Sequence, residues 1–543
     1  MANKNFLYYI IILCVCFFAF FVNNKIIPAD IMEARNLATA QEMVQTGNYL
    51  IPTMNGELRL EKPPLPTWIA AGVEHICPGS LSVQRAVAGV SATLLILFLF
   101  LLVVKLTRDN KIALLSALVA ATSYSVIMIG RTVTWDIYCH SFMLGAIYFL
   151  VCAIEEKGRQ WGRFLLAGVF MGLSFLSKGP VSFYALLVPF IIAYAIALRP
   201  KMKGKIIPLF VMIIICLIIS FWWPAYIAVF HSEIGLSVAQ KESTNWLNYN
   251  TRPLWYYWKF PAEAGIWIFF WVTALVYFFR KKKTEQRKVF YFSALWTIAA
   301  FVLLSVIPEK KTRYLFPLLI PGAINIGFYI WYSAKGTMSK TEKTVFRINS
   351  MLVAVIALAL PPALYFVLTK DGQALPYFMF IIISLLCCGI AVYIFMALFS
   401  KKSIGVIKTF SAIVLLMITF EALCIPAVAK IFINNQRYSI RYLRDNPKVE
   451  DLPFFYNDKD FLRIELVYEA NRSIRPINLD NDNELYSNLP FVLVSNEPAK
   501  ELLKDKNVAI EYIDTFDNNW RHKTDKSYDK QMIKEVAIVR AKN

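Results

Sequence analysis

PADIMEARNLATAQEMVQTGNYLIPTMNGELRLEKPPLPTW, residues Pro28–Trp68, is a charged, proline-punctuated stretch set among strongly apolar runs. FLYYIIILCVCFFAFFV (6–22) precedes it, and apolar segments recur after it to about residue 426. The stretch carries Asp30, Glu33, Arg35, Glu42, Glu57, Arg59, Glu61 and Lys62. Ordering so many charges between two membrane segments is costly, because a poorly solvated charge must find a partner or reach water. The stretch therefore reads as a loop that the remaining spans hold over a reaction site at the membrane surface.

Composition agrees. The chain of 543 residues is 57% hydrophobic and only 17% charged, whereas soluble domains sit near ~25% charged. The net charge of +20 invites a nucleic-acid reading, but its distribution excludes one. Residues 427–543 hold 19 Lys/Arg and 19 Asp/Glu, so the whole excess lies in residues 1–426. There it gathers in short loops, as control of topology requires. The nine cysteines fall mostly inside apolar runs, none lies beyond residue 427, and no Cys/His spacing suits a metal.

The first apolar run is longer than a signal-peptide core and is followed by no small-x-small cleavage site, so a retained helix is expected. Further spans are expected near 83–104, 112–129, 139–154, 164–177, 180–198, 206–230, 260–279, 289–307, 313–333, 348–369, 376–399 and 407–426. Thirteen helices result. The basic loops KLTRDNK (105–111), EEKGRQWGR (155–163), RPKMKGK (199–205), RKKKTEQRK (280–288), AKGTMSKTEKTVFR (334–347) and SKKSIGVIK (400–408) then share one side. The positive-inside rule makes that side cytoplasmic, with the N-terminus. The odd count puts the tail outside. In that tail FFY (454–456), FVLVS (491–495), VAIEYI (508–513) and VAIVRA (536–541) read as strands, and 460–472 and 497–506 as helices. The expected organisation is a membrane domain over 1–426, its first outer loop at 24–80, and a soluble α/β domain over 427–543.

Chemistry gathers in the outer loops. IMEARNLATAQEMV fits an amphipathic helix along the membrane with Asp30 and Glu33 on one face, or simply a solvated interfacial helix. In GELRLEKPPLPTW, Pro63, Pro64 and Pro66 hold Glu61 and Lys62 out of helix. Lys62 suits a lipid phosphate, or snorkels from a helix end. In GRTVTWDIYCHSFM, Arg131 and Asp136 are boundary charges that carry function or pair with each other; His140 lies one turn beyond Asp136. SKGP places Lys178 at a helix reversal. The loop 243–267 carries Arg252 among dense aromatics, which also suit an interfacial belt. PEKKTRYLFPLLIP brings Lys310, Lys311, Arg313 and Tyr314 to the side where basic residues are disfavoured, and anion binding would explain them. Acids in two places and bases in at least four fit a lipid-phosphate substrate whose bond to a second group is broken.

Taken in order, the loop 30–66, R-x4-D at 131–136, SKGP, P-x-WYY at 253–257 and KKTRYLFPLLIP at 310–321 resemble the bacterial membrane glycosyltransferases of the aminoarabinose transferase type, relatives of the protein O-mannosyltransferases. The resemblance implies the GT-C fold: an α-helical polytopic membrane domain of about thirteen helices with an extracytoplasmic α/β domain, in the bacterial inner membrane. It implies transfer of a sugar, 4-amino-4-deoxy-L-arabinose or a related one, from a polyprenyl-phosphate donor to a lipid A-type acceptor. By position the first-loop acid motif falls on Met32-Glu33-Ala34-Arg35, so Met32 stands where the family keeps an aspartate; Glu33 or Asp30 takes the role. The second acid corresponds to Asp136. Lys62, Arg252 and Tyr314 correspond to residues that hold the carrier phosphate or close the donor cavity, and Arg35, Lys178 and Arg313 add positive groups that could steady the phosphate. No cofactor is required by this reading. A divalent metal stays open, with Glu61 beside His75 too thin a pair to define one. A protein or glycan hydroxyl acceptor is the alternative, and it would need base help that an ionised phosphate does not. A transporter of lipid-linked sugar is disfavoured, since neither internal repeats nor broken mid-membrane helices appear.

Overall fold

The computed structural model describes residues 2–233, 235, 240, 244, 250–280, 287–336, 338–370, 376–399, 405–434, 437–523 and 525–542. Residues 245–249 of the aromatic loop, and 281–286 and 400–404 of the basic runs, lie outside the described residues. The chain divides into two compact units. One comprises Met1–Asn24, Glu61–Leu65 and Arg85–Ala427; the other comprises Lys25–Leu60, Pro66–Gln84 and Val428–Asn543. The sequence reading places the first outer loop with the membrane helices. In the structure most of that loop clusters with the C-terminal domain, while Asn24 and Glu61–Leu65 cluster with the membrane unit.

The membrane unit is helical because an apolar chain in lipid can satisfy its backbone only internally. Each of the thirteen expected runs contains helix. Among the described residues nine helices are long and apolar enough to cross a membrane, or ten if Asn110–Ala121 and Tyr124–Gly130, bent by 66°, form one span. Phe6–Phe21 and Phe183–Ala197 are shorter apolar helices. Burial separates the roles. The most apolar 18 residues of Trp135–Glu155 and Thr312–Ala334 are 83% and 89% buried, whereas those of Ile206–Phe230 are 28% buried. The first two are core helices, and the third turns most of its surface outward. Helix Trp161–Lys178 meets Ile206–Phe230 through Gly168 and Gly172. A Cβ on Gly172 would come within 2.5 Å of Ile219, and one on Gly168 within 2.6 Å of the Met212 carbonyl oxygen. This is close packing by small residues four apart.

In the other unit, helix Ile31–Thr46 is capped by Asp30, whose carboxylate accepts from the amides of Met32 and Glu33, and it ends at Gly47 in the left-handed region. It is no solvated surface helix. Ten of its 16 residues are buried, polar Asn36, Gln41 and Glu42 among them, and it packs on helix Ile464–Ala470 of the C-terminal domain. Asn55-Gly56, both at positive φ, turn a small hairpin between Thr53–Met54 and Glu57–Leu58. Glu42 fastens that turn to the helix, accepting from the Thr53 hydroxyl at 2.6 Å and the amides of Asn55 and Gly56 at 2.6 and 3.0 Å.

The C-terminal domain is a five-stranded mixed sheet of β1 (Phe454–Asn457), β2 (Ile474–Ile477), β3 (Phe491–Ser495), β4 (Val508–Asp517) and β5 (Ile533–Ala541). Their order is β2-β1-β3-β5-β4, parallel around β1 and antiparallel around β5. All four expected strands are present, and β2 is an addition. The expected helices shorten to Ile464–Ala470 and Ala499–Leu502. Ile477, Leu485, Phe491, Leu493, Ala537 and Val539 form part of the core. Asn55 binds β2 on both sides of Ile474, donating to its carbonyl and accepting from its amide, each at 2.7 Å. The Asn55 side chain thereby caps the edge of the sheet at one residue.

Candidate active site

Three sequence-distant segments of the membrane unit meet around Asp136. Helix Trp135–Glu155 starts one residue before it, placing its carboxylate in the first turn, where the helix dipole favours negative charge. Lys178, at the last turn of helix Trp161–Lys178, forms a buried ion pair with it. Gly179, at φ +64°, ends that helix directly after the lysine. Arg313 and His140 also lie within reach of the Asp136 charge. Tyr314 presents its ring to the Lys178 ammonium at 5.3 Å and to that of Lys311 at 5.7 Å. Its hydroxyl donates to Glu309 at 3.2 Å, and Lys311 pairs with the same carboxylate at 2.7 Å. The result is a compact array of alternating charge with aromatic walls.

A backbone clasp positions the Arg252 and Glu309 segments. Thr251 bridges Glu309 in antiparallel fashion, and the Arg252 amide donates to the Pro308 carbonyl at 3.2 Å. The Tyr257 hydroxyl both donates to the Lys311 carbonyl and accepts from its amide at 3.1 Å. Arg252 itself is exposed, its guanidinium 6.0 Å from the Tyr256 ring. Lys310 does not join the basic face that the sequence suggests. It is 3% exposed and donates to the carbonyls of Ile307 and Arg252 at 2.6 and 3.0 Å, which makes it part of the clasp.

Arg131 and Asp136 do not pair with each other. Arg131 binds Glu421 at 2.6 Å and the Val22 carbonyl. The Asn23 amide group donates to the carbonyls of Glu421 and Ala422 at 2.9 and 3.0 Å. Glu421 sits in a π-helical turn, Phe420–Cys424, inside the last span. Sequence reasoning passed over it, although an acid within an apolar run is a signal in itself. Glu309, an acid in a basic run, was also missed.

Of the remaining candidates, Glu61 and Lys62 belong to the membrane unit, each half-buried and each engaged by a partner. Asp30, Glu33 and Arg35 belong to the other unit. Asp30 is exposed and occupied as the helix cap. Glu33 is fully buried and lies close enough to Tyr468 for its charge to act on the phenol. Burial, reinforced by Glu469 and Glu33, pushes that phenol up, so Tyr468 stays a hydrogen-bond donor. Arg35 is half-buried, and its carbonyl accepts from the Thr39 hydroxyl at 2.8 Å. Among the described residues no group of three or more His, Cys, Asp or Glu side chains is placed to hold a metal ion.

A family model described as dolichyl-phosphate-mannose-protein mannosyltransferase matches residues 61–223. The undecaprenyl phosphate-alpha-4-amino-4-deoxy-L-arabinose arabinosyl transferase of Pectobacterium atrosepticum is 25% identical over 479 residues, covering 81% of this chain and 79% of its own. The Serratia proteamaculans protein of the same name is 24% identical, covering 60% of this chain and 59% of its own. The chain spans about three fifths of the length of the first curated relatives it matches. The crystal structure of ArnT from Cupriavidus metallidurans bound to undecaprenyl phosphate superposes with a TM-score of 0.68 at 14% identity, covering 99% and 98% of the two chains. The fold is therefore that of a polytopic GT-C membrane protein with a C-terminal α/β region. Within that class the chain resembles the arabinosyl transferase and protein mannosyltransferase type.

Proposed function

We propose that the chain is a glycosyltransferase that takes a sugar from a polyprenyl phosphate and moves it to a lipid A-type acceptor. In this reading it is a multi-pass protein of the bacterial inner membrane, with the N-terminus cytoplasmic, residues 427–543 periplasmic and the transfer on the outer face. The sugar is 4-amino-4-deoxy-L-arabinose or a near relative, as the relatives' names suggest. The observation that carries the reading is the array of Asp136, Lys178, Arg313 and Tyr314 at one end of the helix bundle. Breaking the sugar–phosphate bond builds positive character on the anomeric carbon and negative charge on the leaving phosphate. Fixed cations stabilise the second without reorganising. Lys62, Arg252 and Arg313 are assigned to the carrier phosphate, Tyr314 to closing the donor site, and Lys178 to sharing its charge between Asp136 and the phosphate. Arg35 is assigned to steadying the carrier phosphate. Glu33 is assigned to orienting the acceptor, or to deprotonating it if the acceptor is a hydroxyl.

No cofactor enters this scheme, and transfer is expected to continue in a metal chelator. The test is transfer from a radiolabelled undecaprenyl-phosphate sugar in proteoliposomes. Lys62→Ala and Glu33→Gln should each reduce the rate on the order of 100-fold. Normal transfer by both variants would overturn the assignment of the site.

A further inference from the structure

The unit that contains the C-terminal domain has a half-open cavity of about 590 Å³ that the donor chemistry does not use. Its lining includes Lys25, Arg437, Arg441, Tyr442, Tyr468 and Glu469. The volume suits a sugar-sized group, since ligand pockets run from about 300 to 1,000 Å³. Its polarity is mixed in the way saccharides require. Arg437 is held by Glu469 at 3.0 Å and by the Asn518 carbonyl at 3.2 Å, so it serves as a fixed wall. Arg441 is exposed and donates through one terminal nitrogen to the Gly79 carbonyl at 3.3 Å, and among the described residues its second terminal nitrogen is open to a ligand. Lys25 is exposed on the same lining. Asp445 and Ser439 add oxygen acceptors, and Tyr442 offers an exposed ring face.

Position adds to this. Pro28 and Ala29 line the cavity, and they lead directly into Asp30 and the helix that carries Glu33. Tyr468, on the opposite helix, lies on the cavity lining and within reach of the Glu33 charge. Glu33 itself is buried behind this lining, so Tyr468 and the Pro28–Ala29 backbone connect the cavity to the helix that carries it.

We propose that this cavity is the acceptor site and takes a phosphate-bearing saccharide headgroup. Arg441 and Lys25 meet the phosphate, and Tyr442 packs on the sugar. A compact basin with three cations against two acids favours such a headgroup over an extended peptide, which would seek a groove or a strand edge. The inference rests on the glycosyltransferase reading, and it can fail separately from it.

The test uses the full-length protein in nanodiscs with purified lipid A as the probe, and undecaprenyl phosphate binding as the control. Arg441→Glu and Tyr442→Ala should each weaken lipid A binding about tenfold or more, and Arg441→Lys should retain most of it. Undecaprenyl phosphate binding should be unchanged in all three. Enzymatically dephosphorylated lipid A should bind weakly and be insensitive to Arg441→Glu. Unchanged lipid A affinity in both loss variants overturns the proposal. So does equal binding of the dephosphorylated lipid, or binding of a Ser/Thr-rich peptide that Arg441→Glu abolishes while lipid A is ignored. Failure of the wild type to bind undecaprenyl phosphate would instead sink the underlying donor reading.

Discussion

Arg131 and Asp136 lie five residues apart, each in a buried ion pair, and the two pairs are built differently. Arg131 and Glu421 are surrounded by backbone: the Val22 carbonyl takes a second guanidinium bond, and Asn23 holds the carbonyls of Glu421 and Ala422. Nearby Arg85 does the same, donating to the Asn24 carbonyl at 2.6 Å. This pair ties the exit of the first helix to a π-helical turn of the last. Asp136 and Lys178 are bordered by side chains instead, with the Arg313 guanidinium, the His140 imidazole and the Tyr314 ring about them. Buried charges closed off by backbone make a strut. Buried charges left facing other charges can exchange partners with an incoming anion, which is what a site for a leaving phosphate needs.

The largest effect should come from Asp136→Asn. It keeps the shape of the side chain but frees Lys178 from its counter-charge. Transfer should fall on the order of 100- to 1,000-fold with the folded yield largely retained. Because the two residues act as a unit, Asp136→Asn combined with Lys178→Ala should be little worse than either alone. Near-normal transfer by Asp136→Asn would make this pair a second strut and erase the contrast.

Glu421→Ala should show the opposite pattern. Removing one partner of a buried pair leaves an uncompensated charge and costs about 3–5 kcal/mol. The expected readout is a marked drop in melting temperature and yield in detergent, while molecules that remain folded transfer at near the wild-type rate. Glu421→Gln, which can still accept from Arg131, should lie between. A stable but inactive Glu421→Ala protein would show that the strut is part of the chemistry.

Much of this was legible in the sequence because apolar length and loop charge are local signals. The helical runs, the change of character near residue 427 and four of the five domain strands follow from such patterns. The residues near Asp136 were singled out one at a time, since boundary charges are rare enough to notice. What stayed hidden is who partners whom. Arg131 looks five residues along the chain to Asp136 and in fact binds Glu421, 290 residues away. Lys310 reads as one more basic group in a run, yet carbonyls of Ile307 and Arg252 absorb it. The hairpin at Asn55-Gly56 did carry a turn signal. Its docking on β2 is not a local signal, because Asn55 reaches Ile474 through its side chain across 419 residues of chain.

The smallest expected effect decides the question that Met32 raises. With Met32 where the family resemblance implies an aspartate, Asp30 and Glu33 are equal candidates in the sequence. The structure separates them by occupation. One oxygen of Asp30 takes the amides of Met32 and Glu33 at 2.8 Å each, at an exposed helix start. Glu33 is buried one turn further in, facing the helix of the C-terminal domain that carries Tyr468. A capping carboxylate is worth about 1 kcal/mol and can be replaced by another capping side chain. Asp30→Ala should therefore lower stability by about 1 kcal/mol. Transfer should change less than roughly threefold, since a cap touches no reacting group. Asp30→Asn should restore the stability, because asparagine caps as well as aspartate does. Loss of transfer in Asp30→Asn, alongside an active Glu33→Gln, would reverse the assignment and make the cap residue the acid.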